Sequence, residues 1–212
     1  KLFADNYYLF LGTPSGIWLN HEFSVVFDIK EKLNSANADK IYDEIHEKLN
    51  SPEFLPRRLF EKFKIEVLST TDASTDSLEH HKKIKESGWN GRVIPCFRPD
   101  AVTDLSNPSW KSNLELLGRV CGFEISSFKK FVKALEERRS FFKTLGCTST
   151  DHGVFSPFTH ELSICEVEKI FQKGLKGEVT IEDAELFTAH MLMEMARMSI
   201  EDGLVMQIHP GS

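Results

Sequence analysis

Arg92-Val93-Ile94-Pro95-Cys96-Phe97-Arg98-Pro99-Asp100 is the stretch on which the reading of this chain turns. Its first six residues are β-rich, although Pro95 lacks the N–H that an interior strand position donates. It then breaks into a polar turn, Arg98-Pro99-Asp100. Three other runs share that form. Upstream, Ile65-Glu66-Val67-Leu68-Ser69 leads into Thr70-Thr71-Asp72. Downstream, Cys147-Thr148-Ser149-Thr150 leads into Asp151-His152-Gly153, and Leu204-Val205-Met206-Gln207-Ile208 leads into His209-Pro210-Gly211.

Helical patterns fill the intervals. One runs from Asp76 to Lys85 and ends at Gly88. A longer one, Ser127 to Thr144, carries the stripe Phe128, Phe131, Val132, Leu135, Phe142 and Leu145, with Gly146 supplying a left-handed end. Ser163 with Glu166, and Thr180 with Asp183, read as capping boxes that open two more helices. The last helix bears Ala184, Phe187, Met191, Met195 and Met198, a stripe that reads as core packing, and stops at Gly203.

Strands alternating with helices predict βαβ units on a parallel sheet. Four strands are too few for a (β/α)8 barrel, which takes ~250 residues. The expected fold class is therefore α/β, a partial (β/α)8 TIM-type barrel cut just after a strand. An open sheet of four or five strands is the competing architecture. Residues 64–212 make the barrel segment. Residues 1–63 are expected to be a helical region. There, Ile41, Ile45 and Leu49 mark a helix from Asn37 to Leu49, Phe54 to Phe63 forms a second with Pro56 in its first turn, and Gly12-Thr13-Pro14-Ser15-Gly16 reads as a break.

The 212 residues are 41% hydrophobic and 27% charged, which excludes a disordered or collagen-like chain. A net charge of −6 with no basic cluster argues against nucleic acid or an anionic membrane surface as partner. No apolar run reaches the ~18 residues of a membrane span. Lys1-Leu2-Phe3-Ala4-Asp5 does not read as a signal peptide. Cys96, Cys121, Cys147 and Cys165 are scattered and form no CxxC, so they read as free thiols of a cytoplasmic protein.

In α/β folds chemistry gathers at the carboxyl ends of parallel strands. Taken singly, Asp72 reads as a helix cap, Arg98 and Asp151-His152 as turn residues, and His209 as a core histidine. Taken together they are more informative. If the four ends share one mouth, they offer an arginine fork for a carboxylate, ionisable bases and potential metal ligands. His80-His81, set among lysines, reads as solvated surface. There is no GxGxxG, Walker A, HExxH or GxSxG motif.

Five segments, in order, then carry a resemblance: Gly12-Thr13-Pro14-Ser15-Gly16-Ile17-Trp18-Leu19-Asn20-His21, Ile65 to Asp72, Val93 to Asp100, Thr150 to Gly153, and Val205 to His209. Together they resemble the uronate (glucuronate) isomerase family of the amidohydrolase superfamily. The resemblance implies a metal-dependent-hydrolase-like barrel with an additional helical region. It implies interconversion of D-glucuronate with D-fructuronate, and of D-galacturonate with D-tagaturonate, through an enediol. It also implies a divalent metal, usually zinc, and a small-molecule uronate as partner. Carried over by position, Arg98 is the substrate-binding arginine and His209 the histidine beside metal and substrate. Asp151 and His152 stand as catalytic candidates, and Asp72 and His21 as substrate-binding ones. The superfamily's His-x-His would lie upstream of Lys1, and the family's next arginine and last-strand aspartate beyond Ser212. The chain is thus expected to be the middle of an enzyme about twice as long and inactive alone. Self-association through exposed barrel edges is expected. The rival readings are an amidohydrolase-type metal hydrolase and a non-catalytic, self-associating fragment.

Overall fold

No strand precedes Leu68 in the computed structural model, which describes residues 1–211. The chain divides into two compact units, Lys1–Glu66 and Val67–Ser212. The first is built from α1 (Leu2–Asp5), α2 (Pro14–His21), α3 (Ala38–Leu49) and α4 (Pro56–Lys62), with short 3-10 and π turns between them. Its own small core gathers Ala4, Tyr7, Ile29, Leu33, Ala38 and Ile41. The expected break at Gly12 to Gly16 is the start of α2 instead. Thr13 caps that helix, its Oγ1 accepting from the Gly16 N–H at 3.1 Å, and Pro14 occupies the first turn, where a missing N–H costs nothing.

The second unit alternates β1 (Leu68–Ala73), α5 (Glu79–Glu86), β2 (Val93–Arg98), α6 (Asp100–Thr103), α7 (Trp110–Cys121), α8 (Phe128–Thr144), β3 (Ser149–Val154), α9 (Ile164–Lys176), α10 (Ile181–Asp202) and β4 (Val205–Pro210). The strands form one sheet in the order β1-β2-β3-β4, every pairing parallel. A doubly wound sheet reverses its strand order at a switch point. An unbroken sequential order is instead that of an arc of a (β/α) barrel, so the partial-barrel reading holds over the open sheet. Each strand begins one to three residues later than its apolar run, so Thr70 to Asp72, Arg98, Asp151 to Gly153 and His209 lie inside the ladder and not beyond it. Among the described residues, no helix is long and apolar enough to cross a membrane.

Pro95 is accommodated by alternation along β2. The carbonyls of Arg92 and Arg98 accept from Leu68 N–H and Ser74 N–H on the β1 side. Even-numbered residues of β2 therefore turn their backbone groups to β1, and Pro95 turns its blocked nitrogen toward β3. There the paired register is confined to Phe97 with Thr150, whereas β1–β2 and β3–β4 pair over six residues each.

Helices cover one side of this sheet. Phe97, Phe131, Phe142, Phe171, Phe187, Met191 and Met195 are all fully buried there, and the Phe97 and Phe142 rings meet edge-on at 5.1 Å. Burial of each such side chain contributes about 1.5–3 kcal/mol. The methionine stripe of α10 is core, as its spacing suggests. Both capping boxes form: Ser163 and Thr180 each accept from the third helical N–H, and Glu166 and Asp183 answer to the cap N–H. All four cysteines are free thiols.

Candidate active site at the strand ends

Neighbouring residues of a strand point to opposite faces, and residues paired across parallel strands share one. Phe97 faces the helices, because it packs on Phe142. The register Asp72–Phe97, Phe97–Thr150 and Thr150–Met206 puts those residues on the helix-covered face. Cys96, Arg98, Asp151, Gln207 and His209 take the other face. There Ser149 Oγ donates to Cys96 Sγ at 3.3 Å, and Gln207 Nε2 lies 3.8 Å from the same sulfur.

This alternation divides the expected constellation. Arg98, Asp151 and His209 converge. Asp151, nearly buried, has Oδ2 3.5 Å from Arg98 Nη1 and Oδ1 2.7 Å from His209 Nδ1. Arg98 Nε donates to Asp100 Oδ2 at 2.6 Å, and the Gly153 N–H donates to that same oxygen at 2.9 Å. Hydrogen bonding to Asp100 keeps the Arg98 guanidinium even more firmly protonated than usual. Arg98 and His209 remain open to solvent, with side chains 38% and 57% exposed. The result is a cation and an imidazole presented at one mouth, both braced from behind by carboxylates.

His152 does not join them. It follows Asp151 directly, so the strand's period of two turns it to the helix layer. Its Nε2 lies 2.8 Å from Thr150 Oγ1, and it borders a small gap with Thr103, Thr188, Met191 and Met195. Burial, reinforced by Arg139 and Arg98, lowers its pKa from 6.5 to about 4. It is buried in the helix layer and neutral at pH 7. Asp72 is likewise on the helix face, where Thr70 Oγ1 donates to its Oδ2 at 2.7 Å and lies 2.8 Å from His81 Nε2. Asp72 is therefore part of a latch between β1 and α5. His81, expected on the surface, is the buried partner in that latch, whereas His80 is exposed. His21 closes α2 in the other unit, with its side chain exposed.

Asp100 is the residue that sequence reasoning passed over. Its position in Arg98-Pro99-Asp100 was visible, but its side-chain bridge to β3 was not. The expected metal finds no complete set of ligands here. Structural and catalytic zinc sites take at least three protein donors, and Asp151 with His209 supplies two. Among the described residues, no group of three or more His, Cys, Asp or Glu side chains is arranged to hold a metal ion. The described residues of this chain therefore do not by themselves complete a metal site.

A family model described as glucuronate isomerase matches residues 1–212. The chain belongs to that family. It is 53% identical over 211 residues to a uronate isomerase of Nostoc punctiforme, covering all of this chain and 44% of that protein. It is 47% identical over 212 residues to a uronate isomerase of Phenylobacterium zucineum, again covering 44% of the relative. The crystal structure of glucuronate isomerase from Caulobacter crescentus superposes with a TM-score of 0.92 at 48% identity, over 99% of this chain and 44% of that one. That of uronate isomerase from Thermotoga maritima gives 0.89 at 28% identity, over 98% and 46%. The chain thus spans less than half the length of the glucuronate isomerase relatives it matches.

Proposed function

We propose that the protein carrying this chain is a uronate isomerase, interconverting D-glucuronate with D-fructuronate and D-galacturonate with D-tagaturonate. The observation that carries this reading is the convergence of Arg98, Asp151 and His209 on one face of three consecutive parallel strands, in a chain of the glucuronate isomerase family. A uronate carries a carboxylate, and the planar fork of Arg98 suits it. Fixing that end orients the sugar's other end for proton transfer between C2 and C1. The proton is α to a carbonyl and weakly acidic, so its removal builds negative charge on an enediolate. His209 is placed to meet that charge. Its Nδ1 lies 2.7 Å from Asp151 Oδ1, which leaves Nε2 as the nitrogen assigned to substrate. A single base that takes the C2 proton and returns it to C1, while a proton passes from the C2 hydroxyl to the C1 oxygen, completes the reaction.

The test is to incubate the whole protein with each uronate in deuterium oxide and follow products by NMR. Formation of the 2-ketose is expected, with deuterium at C1 to the extent that the transferred proton exchanges with solvent. No ketose from either uronate overturns the reading.

A further inference from the structure

We infer that Asp100 is the positioning residue for Arg98, and that it holds the guanidinium by Nε so that the Nη groups face a uronate carboxylate. This deepens the functional reading above and rests on it. The argument begins with a single atom. Asp100 Oδ2 accepts from Arg98 Nε at 2.6 Å and from the Gly153 N–H at 2.9 Å, so one carboxylate oxygen joins the ends of β2 and β3. A guanidinium offers five donors in a rigid plane. Engaging Nε uses the inner edge and fixes the plane's rotation. Nη1 stands 3.5 Å from Asp151 Oδ2, longer than a hydrogen bond of ordinary length. The terminal nitrogens therefore remain for an incoming carboxylate, which pairs best with two parallel N–H donors.

Chain order favours this assignment. Arg98 is the last residue of β2, and Asp100 is the first residue of α6, across Pro99. Pro99 has a fixed φ and no N–H of its own, which limits the ways the two side chains can meet. Arg98 faces two carboxylates, yet only Asp100 makes a short hydrogen bond with it, and that bond is what orients the guanidinium. Without Asp100, the closest anion left to Arg98 is Asp151. The fork would then swing onto the carboxylate that braces His209 and away from substrate.

The experiment uses the whole protein, with Asp100→Ala and Asp100→Asn compared with wild type on D-glucuronate. Loss of one charge-assisted, oriented bond behind the fork is expected to raise KM about tenfold or more in Asp100→Ala, with kcat changed less. Asp100→Asn keeps an oxygen acceptor and is expected to recover part of that loss. If Asp100→Ala does not fold, Asp100→Asn decides: a raised KM supports the inference, and a wild-type KM overturns it. An Asp100→Ala enzyme with an unchanged KM, or with kcat lost and KM kept, also overturns it. A second readout is the Arg98 Nε–H resonance, expected to exchange slowly in wild type and rapidly in Asp100→Ala; equal exchange in the two overturns the inference. Failure of the functional reading looks different: the wild-type protein itself turns over no uronate.

Discussion

Removing the titration of His152 is expected to flatten the acid side of the stability profile. The folded protein keeps this imidazole neutral down to about pH 4, while the unfolded chain protonates it at its ordinary 6.5. The neutral form is therefore the one that folding favours. Its contribution is whole above pH 6.5 and is lost as the pH falls toward 4, because only the unfolded state takes up the proton. At about 1.36 kcal/mol per unit, the full displacement amounts to about 3 kcal/mol, with about 2 kcal/mol of it already lost at pH 5. His152→Asn removes the titrating group. It lowers absolute stability by cutting the contact with Thr150, but the slope is the quantity of interest. Urea unfolding of the chain between pH 4.5 and 7 is expected to give a wild-type stability that falls more steeply than the variant's, by up to about one proton's worth per pH unit. His190, also displaced downward by burial, is common to both proteins, so its effect cancels in the comparison. Parallel profiles would refute the placement of His152 in the dry helix–sheet layer.

Arg139 is 1% exposed and grips Asp202 through two bonds of 2.6 and 2.9 Å, with Ser199 Oγ at 3.0 Å. Arg139→Met is expected to cost about 3 kcal/mol in urea unfolding, because it strands a partly buried carboxylate; a loss below about 1 kcal/mol would contradict that. Thr180→Ala removes one half of the α10 capping box and should cost about 1 kcal/mol, read as a lower urea midpoint with an unchanged slope. An unaltered midpoint would show the box to be idle. Arg98→Lys replaces a fork by a point charge and should raise KM for uronate about tenfold or more, with kcat less affected. A wild-type KM would mean that the substrate carboxylate binds elsewhere.

Sequence was a good guide wherever a rule is local. The Ser163 and Thr180 caps, the Gly146 and Gly203 helix ends and the α8 and α10 stripes needed only spacing and propensity. The parallel sheet followed from alternation of elements. Helix α7 is absent from the expected elements, although Trp110, Leu114, Leu117 and Cys121 carry a helical period. The site was half legible. Residue types at the strand ends pointed to Arg98, Asp151 and His209. Which side of the sheet each residue faces depends on register, and register is a tertiary fact. A pattern such as Asp151-His152 cannot aim both side chains one way, so at most one could belong to the mouth. The burial of His81 likewise depends on Thr70 and Asp72 arriving from a different element.

The proline at position 95 leaves a seam. Along β2 and β3 the backbone contributes little stitching, so the sheet is mechanically two ribbons laid side by side. Polar side chains fasten the ribbons at that boundary: Ser149 on Cys96, Asp100 on Gly153, and Arg98 beside Asp151. Two of these rivets stand at the mouth itself. The groups assigned to hold a sugar acid are thus also those that keep the two halves of the floor in alignment, so selection for a tight grip on the ligand and selection for a sound scaffold act here on the same few atoms.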